Sequence, residues 1–431
     1  MSNRSKVGLK LSIFITCIFL FAWIGLANLF SLGLFDFLDN AARVLAAPVY
    51  ASIYSDDLTN VRKIVEAYQI GDKRLLSSPP SKSWENIEAK VPGFRFLGAN
   101  EGSEFHLETP FVYAKMDSGK LAEFREKCSL DRIISGPGGE YDAMLRLGAW
   151  LGTRWDHGAN RVPGGPMVCD PAKVILAGEN GSKFWCAVAA RTAVDAATAV
   201  GWTARLLTAS RDGYTWEHAV AEFWSNQYGK WFVIDTDFNC VYEYEGVPLS
   251  GFELCHRGNE LQKSGKLVVR AIAPSKKSLP MIDLIPFYSY IHIDMRNDWC
   301  SRPLERESPA GGDLATWWTS RPSFHRVLTA KRRVDDPNLF NWAVNWVSIY
   351  ALNAKRASDG LTSIEIGLAG YSPAFKAFEI SFDGGGWREI EQPGYVLSAG
   401  PGDHVVRAML VTISSYTGPV SEVSFQVAPA N

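Results

Sequence analysis

The chain lacks a strong excess of charge of either sign. Its 431 residues include 44 Lys and Arg against 46 Asp and Glu, which gives a formal net charge of −2. Proteins that bind nucleic acids usually present a large basic surface. This composition does not imply one, so we expect no nucleic acid among the partners.

The common zinc-binding spacings are also absent. Neither CxxC nor HExxH occurs in the sequence, and the adjacent pair Cys255 and His256 does not replace them. These spacings matter because they bring several ligands to one side of a turn or helix. We therefore predict no metal and no cofactor.

Repeats and low-complexity tracts are missing as well. The chain does have a hydrophobic share of 47%, which over this length is enough to bury more than one core. Two or three structural units are therefore expected.

One uncharged stretch near the N-terminus is long enough to cross a bilayer. Leu11 to Phe35 contains 25 residues without a charge, with basic residues before it and Asp36 and Asp39 after it. This predicts a single-pass anchor in the inner (plasma) membrane, with the rest of the chain outside the cytoplasm. A cleaved signal peptide is the alternative, since Gly25 to Ala27 and Val44 to Ala46 are both small-residue sites. Either choice exports the chain.

Seven cysteines are present, and Cys17 lies inside the membrane stretch. With Cys186 set aside for the chemistry described below, five remain: Cys128, Cys169, Cys240, Cys255 and Cys300. Five cannot all pair, so at least one thiol stays free even in an oxidising compartment. Their connectivity stays open.

The stretch from Gly181 to Asn239 carries the clearest pattern. Apolar and small residues recur at three- and four-residue steps from Cys186 onward, and they predict a helix that Ser182 caps and Gly201 ends. Cys186 then lies in the first turn. There, unpaired N–H groups and the positive end of the helix dipole favour a thiolate.

A β-hairpin is predicted further along this stretch. Residues alternate in character from His218 onward, and the return strand ends at Asp235. With Ser225 to Tyr228 as the loop, Phe223 faces Lys230 and His218 faces Asp235. Directly opposed residues have Cβ atoms about 4.5–5.5 Å apart, so these two side chains can share a hydrogen bond.

Cys186, His218 and Asp235 are therefore the predicted catalytic residues. They match a thiolate nucleophile, an imidazole base and a carboxylate that fixes the tautomer of the base. Asp237 is the competing carboxylate, since it lies two residues further on the same face of the strand. In the predicted register Asp237 faces Trp216, so Asp235 is preferred.

These residues resemble the core of the transglutaminase-like superfamily, whose arrangement is papain-like. That family has a cysteine at a helix start, an ARLL-type strand, a strand beginning HAxxE and one reading WxxxD. The corresponding segments here are Cys186, Thr203 to Leu207, His218 to Glu222, and Trp231 to Asp235. Similarity to exported bacterial proteins with this domain extends to LGAWLGTRWDHG at residues 147 to 158 and YEGVPLSGFEL at residues 244 to 254.

The resemblance implies an α+β fold and acyl-transfer chemistry at the cysteine. Transglutaminases proper commonly have glutamine before that cysteine and tryptophan after it, whereas Trp185 and Ala187 stand there in this chain. This departure favours a hydrolase or amidase over a crosslinking enzyme. The oxyanion hole would use the backbone N–H of Cys186 and a second donor that the sequence does not identify.

Two further features allow more than one role. Glu222 shares the face of His218, and it is either a buried acceptor that supports the sheet or a polar residue of the cleft. The 15 tryptophans either belong to the core or line a stacking groove for sugars or peptides.

The domain prediction follows the changes in pattern along the chain. A cytoplasmic tip and transmembrane anchor (1–35) precede a small mixed α/β region (36–130) and a transglutaminase-like domain (131–300). A linker or wrapping segment (301–340) leads to an immunoglobulin-like β-sandwich (341–431). Short strands with turn signals about every ten residues favour the sandwich.

The function expected from these features is that of a membrane-anchored, extracytoplasmic cysteine acyl-transfer enzyme acting on an amide or peptide bond. Its partners would be a protein, peptide or cell-envelope polymer substrate and the membrane itself. The alternative is a non-catalytic transglutaminase-like protein that binds peptide or polysaccharide at the cell envelope.

Overall fold

The structure, a computed structural model, describes residues 63–100, 110–163, 170–211, 217–277, 283–300, 316–320, 332–333, 336–390 and 392–429. The predicted membrane anchor, Leu11 to Phe35, lies outside these residues, as does most of the predicted linker. Within these ranges, no helix combines the length and the apolar character needed to span a bilayer.

The protein is a mixed α+β structure with largely antiparallel sheets. Its described α-helices up to residue 199 are α1 (Pro80–Glu88), α2 (Gly119–Lys127), α3 (Leu130–Ile134), α4 (Glu140–Gly152), α5 (Pro171–Glu179) and α6 (Cys186–Ala199). Three short helices follow in the chain: α7 (Gly251–Glu253), α8 (Asn259–Lys263) and α9 (Pro337–Phe340).

The described strands up to residue 294 are β1 (Gln69–Gly71), β2 (Phe94–Asn100), β3 (Ala204–Ser210), β4 (His218–Ser225), β5 (Lys230–Asp235), β6 (Cys240–Tyr244), β7 (Val247–Pro248), β8 (Val268–Ala271) and β9 (Tyr290–Asp294). Those that follow are β10 (Thr316–Ser320), β11 (Arg332–Arg333), β12 (Trp346–Arg356), β13 (Thr362–Tyr371), β14 (Phe375–Phe382), β15 (Arg388–Ile390), β16 (Gly394–Ala399), β17 (Gly402–Thr412) and β18 (Ser421–Val427).

A nine-stranded sheet forms the middle of the molecule. Its strand order is β11-β10-β9-β3-β4-β5-β6-β7, with β8 paired to β6. The β3–β4–β5–β6 part is antiparallel throughout. We call the whole nine-stranded sheet the central sheet.

Both faces of the central sheet are covered, which follows from the alternation of side chains along its strands. On β4, Ala221 and Phe223 enter an apolar cluster shared with helices α4 and α6. Val220 and Trp224 on the same strand enter a second cluster that includes Trp342. Small side chains on α6, such as Ala189 and Ala193, let that helix lie close to the sheet.

The C-terminal strands form two further antiparallel sheets that share one apolar core. One has the order β15-β14-β17-β18-β2, and the other joins β1, β13 and β12, with β16 on β13. Side chains from both sheets, such as Ile366 and Phe425, pack in the same cluster. Strands β1 and β2 come from the early part of the chain, so residues distant in sequence complete both sheets.

Most of the described tryptophans belong to these cores. The buried ones are Trp84, Trp155, Trp202, Trp224, Trp231, Trp342 and Trp346. Among the described cysteines, Cys300 is in a disulfide, while Cys128, Cys186, Cys240 and Cys255 are not. The prediction of at least one free thiol besides Cys186 is thus confirmed.

Candidate active site

Helix α6 begins directly at Cys186. The residue before it, Trp185, is the N-cap and has extended backbone angles of φ −85° and ψ 172° without a side-chain capping bond. The prediction that Ser182 caps this helix is wrong, because the Ser182 N–H donates to Ala177 O and so completes the preceding helix α5. Cys186 therefore occupies the first helical position. Backbone donors and the helix dipole act most strongly there.

The start of α6 is fixed by a neighbouring segment of the chain. His157 and Phe184 form a parallel bridge, and the N–H of Asn160 donates to Lys183 O at 2.9 Å. The ring of Phe184, fully buried, packs edge-on against Trp155 with centroids 5.4 Å apart. These contacts place the WDHG segment beside the cysteine.

His218 and Asp235 lie buried at the ends of strands β4 and β5. His218 Nε2 donates to Asp235 Oδ2 at 2.7 Å, and the two side chains are 3% and 0% exposed. Asp235 Oδ1 accepts the backbone N–H groups of Asp237 at 3.0 Å and Phe238 at 2.9 Å. Three hydrogen bonds therefore fix the carboxylate. The predicted bond between His218 and Asp235 is present.

The register that led to this prediction is wrong by two residues. Ser225 pairs with Lys230 and Phe223 with Phe232, so the loop begins at Asn226 and ends at Gly229. Gly229 has φ +61°, a conformation that glycine adopts without strain, which makes it the last loop residue. A shift of two keeps every side chain on its face. Asp235 consequently reaches His218 as a diagonal neighbour.

Cys186 completes the cluster. Its Sγ, a ring nitrogen of His218 and a carboxylate oxygen of Asp237 all lie within 4.8 Å of one another. Because Nε2 of His218 is held by Asp235, the nitrogen available to the thiol is Nδ1. Cys186 itself is partly exposed.

The imidazole is strongly basic in this setting. Burial by itself lowers the pKa of His218, but the charge and hydrogen bond of Asp235, together with Cys186, raise this pKa to about 10. His218 is thus protonated at neutral pH. The rings of Phe238 and Phe287 pack against the imidazole, with centroids 5.2 and 5.6 Å away.

Asp237 links two residues that sequence reasoning did not place in the site. His157 Nδ1 lies 2.8 Å from Asp237 Oδ2, and Lys276 Nζ lies 3.5 Å from Asp237 Oδ1. Asp237 and Lys276 have side chains only 1% and 3% exposed. Desolvation lowers the pKa of Lys276, although the nearby Asp237 opposes this effect. The Lys276 ammonium also lies over the Trp155 ring, 5.6 Å from its centroid.

The signals for these two residues differ. The sequence pattern singles out the WDHG segment that contains His157, but it does not predict the contact between His157 and Asp237. Lys276 stands in a polar stretch without periodicity, and no sequence pattern points to it. Trp155 Nε1 is a buried donor without a hydrogen-bond acceptor in the described parts of the chain.

Glu222 supports the sheet. It is fully buried and accepts bonds from Arg205 Nε at 2.7 Å and from the Gly251 N–H at 2.7 Å. Arg205 in turn lies between the rings of Trp231 and Trp342, 4.2 and 4.4 Å from their centroids. Of the two roles open to Glu222, the structural one is confirmed.

A cavity of about 190 Å³ opens beside the first turns of α6. Trp185 and Ala187, which flank the cysteine, line it together with Val188, Arg191 and Leu206. Its walls are mostly apolar.

Comparisons with known proteins add little to this geometry. No protein-family model matches the chain, and no curated protein matches it. Among solved structures, the chain is similar to a crystal structure described as a candidate protease from Parabacteroides distasonis, with 10% sequence identity and a TM-score of 0.21. The match covers 72% of this chain and 53% of the other. A score this low carries no argument about fold or function.

Proposed function

We propose that this protein is a transglutaminase-like cysteine acyl-transfer enzyme that cleaves an amide or peptide bond. The observation that carries this proposal is the arrangement of one imidazole between a carboxylate and a thiol: His218 Nε2 lies 2.7 Å from Asp235, and its other nitrogen faces Cys186. This order of groups is what nucleophilic cysteine catalysis requires. Hydrolysis fits better than crosslinking, since Trp185 and Ala187 flank the cysteine.

The first half of the reaction uses the thiolate and the imidazolium. Cys186 Sγ attacks the carbonyl carbon, a C–S bond forms, and the carbonyl electrons move to oxygen. His218 then gives its proton to the leaving nitrogen as the C–N bond breaks, which leaves a thioester and a free amine. The raised pKa of His218 means that this proton is already in place at neutral pH.

The second half returns the enzyme to its starting state. His218, now neutral, removes a proton from water, and the resulting hydroxide attacks the thioester carbon. The C–S bond breaks, the acid is released, and the sulfur leaves as thiolate beside the protonated imidazole. Asp235 keeps the Nε2–H tautomer throughout, because a carboxylate can only accept at that position.

The negative oxygen that forms in both halves needs donors. One is the Cys186 backbone N–H at the helix start.

The proposed setting is the outer side of the inner membrane, with the chain anchored by Leu11 to Phe35. Peptides or cell-envelope polymers would be the substrates, and the C-terminal sheets would be an immunoglobulin-like sandwich that spaces or holds the catalytic part. The proposed division at residues 36, 131, 301 and 341 rests on the sequence pattern.

A thiol-directed amide-mimic probe tests the proposal. At neutral pH, Cys186 should be labelled much faster than Cys128, a half-buried free thiol whose pKa burial raises to about 11. Cys186→Ala should abolish labelling, and Cys128→Ala should leave it intact. Peptide mapping identifies the labelled site. If Cys186 reacts no faster than an ordinary thiol, the proposal is wrong.

A second measurement distinguishes the proposed enzyme from the alternative, a non-catalytic binding protein. The Cys186→Ala protein is incubated with cell-wall and exopolysaccharide material in a pull-down. Binding that is unchanged by the substitution, together with no turnover by the wild type, would favour a binding function over an enzyme.

A further inference from the structure

We propose that the cluster around Cys186 is also a zinc site, with Cys186 Sγ, His218 Nδ1 and an oxygen of Asp237 as ligands. One atom from each residue lies within 4.8 Å of the others. Thiolate, imidazole and carboxylate are the donors that zinc takes in proteins, and three such ligands with one open position are typical of non-structural zinc sites. The sequence did not predict a metal because these ligands come from separate elements.

The second nitrogen of the histidine is arranged as in zinc sites. Metal-bound histidines usually donate their other ring N–H to a carboxylate, which orients the ring and strengthens the ligand. Asp235 does this for His218 at 2.7 Å, and two backbone N–H groups hold Asp235 in turn. The same contact that fixes the base for catalysis therefore presents Nδ1 to a cation.

Asp237 supplies the observation that distinguishes a cation site from a catalytic pair alone. Its side chain is 1% exposed, and its Oδ1 accepts no hydrogen bond from the described residues. A buried carboxylate oxygen without a donor is costly unless a cation neutralises it. Lys276 Nζ, at 3.5 Å, is the group that now serves this purpose at long range.

The required adjustment is small. Zinc bonds of about 2.0–2.3 Å place tetrahedral ligand atoms about 3.3–3.6 Å apart, so the three atoms must close by roughly 1 Å. Lys276 must leave Asp237 when the ion enters, so lysine and zinc compete for one carboxylate.

Zinc bound in this way blocks the sulfur that the proposed reaction needs. The ion would hold the protein in a resting state until it is removed. The three ligand atoms are in place whether or not the thiol reacts with a substrate. The proposed zinc site therefore does not depend on the proposed function.

Metal binding to the full chain freed of metal by a chelator tests this proposal. Zinc is titrated against a chromophoric competitor, and cobalt(II) is titrated as a spectroscopic probe. We expect one ion per chain and a thiolate-to-cobalt charge-transfer absorption. Cys186→Ala should remove that absorption, and Asp237→Asn should weaken zinc binding at least about 10-fold. Cys128→Ala, which removes a free thiol elsewhere, should change neither.

Lys276→Met gives the sharpest result because its effect has the opposite sign. Removing the competing ammonium should tighten zinc binding several-fold, which general damage to the site cannot do. Unfolding midpoints of all variants show that each remains folded. The proposal is overturned if zinc in large excess does not bind, if Asp237→Asn binds as tightly as the wild type, or if Lys276→Met does not bind more tightly. Probe labelling of Cys186 with chelator present tests the proposed function separately.

Discussion

Around the central sheet the protein buries many ionisable side chains, whereas the core between the two C-terminal sheets contains apolar ones. Buried charged residues near the central sheet include Arg205, His218, Glu222, Asp235, Asp237 and Lys276. From residue 342 to 429, the buried polar residues of the described chain are Asn345, Ser348, Thr362, Ser372, Ser381, Thr412 and Ser421, none of them charged.

This difference indicates which region carries chemistry. A buried charge costs several kcal/mol unless partners compensate it, so a core built for stability alone avoids such groups. Clusters of buried ionisable residues are accordingly common at functional sites. The central sheet bears that cost, and the C-terminal sheets bury apolar surface instead.

The largest effect is expected from Asp235→Asn. Asp235 Oδ1 is held by two backbone N–H groups, so the new amide nitrogen must face His218 Nε2 and donate to it. His218 is then forced into the Nδ1–H tautomer, which cannot accept a proton from Cys186. The turnover rate should fall by about 10³–10⁴-fold, measured with the substrate or acyl probe that labels the wild type.

The matched control for that change is Asp359→Asn, in an exposed turn of the C-terminal part. It should leave the rate unchanged. A rate in Asp235→Asn within 10-fold of the wild type would remove Asp235 from the proposed mechanism.

The second expected effect compares two ion pairs. Arg205→Leu leaves Glu222 buried without its partner, so the free energy of unfolding should fall by about 3–5 kcal/mol. Arg407→Leu breaks a pair with Glu422 whose side chains are 39% and 36% exposed, and it should cost about 0–1 kcal/mol. Urea denaturation measures both. Equal losses in the free energy of unfolding would show that the burial of an ion pair does not distinguish the two regions.

The third effect is in the apolar core. Ile366 is fully buried between the C-terminal sheets, so Ile366→Ala should lower the free energy of unfolding by about 3 kcal/mol through lost burial and a cavity. The labelling rate of Cys186 in the folded variant should equal that of the wild type. A large loss of labelling in a variant that stays folded would show that the C-terminal core affects the site around Cys186. That result would contradict the separation of the two regions.

A further expected effect is a pH dependence of stability. The pKa of His218 is raised from 6.5 to about 10 in the folded protein, so the protonated histidine is bound more tightly when folded. Its contribution is fully present below about pH 6.5 and is lost as pH rises through about 10. The stability difference between the wild type and His218→Gln should therefore shrink across this window in urea denaturation. A constant difference would mean that His218 does not change charge there.

Local patterns predicted more of the site than of the surrounding architecture. The helix start at Cys186 and the alternation on β4 and β5 can be recognised within a few residues, and they led to the bond between His218 and Asp235. The pairing of β2 with β18 and of β1 with β13 joins residues hundreds of positions apart. Local periodicity carries no information about such partners.

The sequence alone determined which residues of the hairpin share a face, because side chains on a strand alternate with a period of two. That is why a register error of two residues left His218 and Asp235 together. Only the tertiary structure decided that Asp235 holds the histidine, that Asp237 faces the sulfur, and that His157 and Lys276 meet Asp237. Those contacts depend on distances between separate elements, which packing sets and spacing along the chain does not.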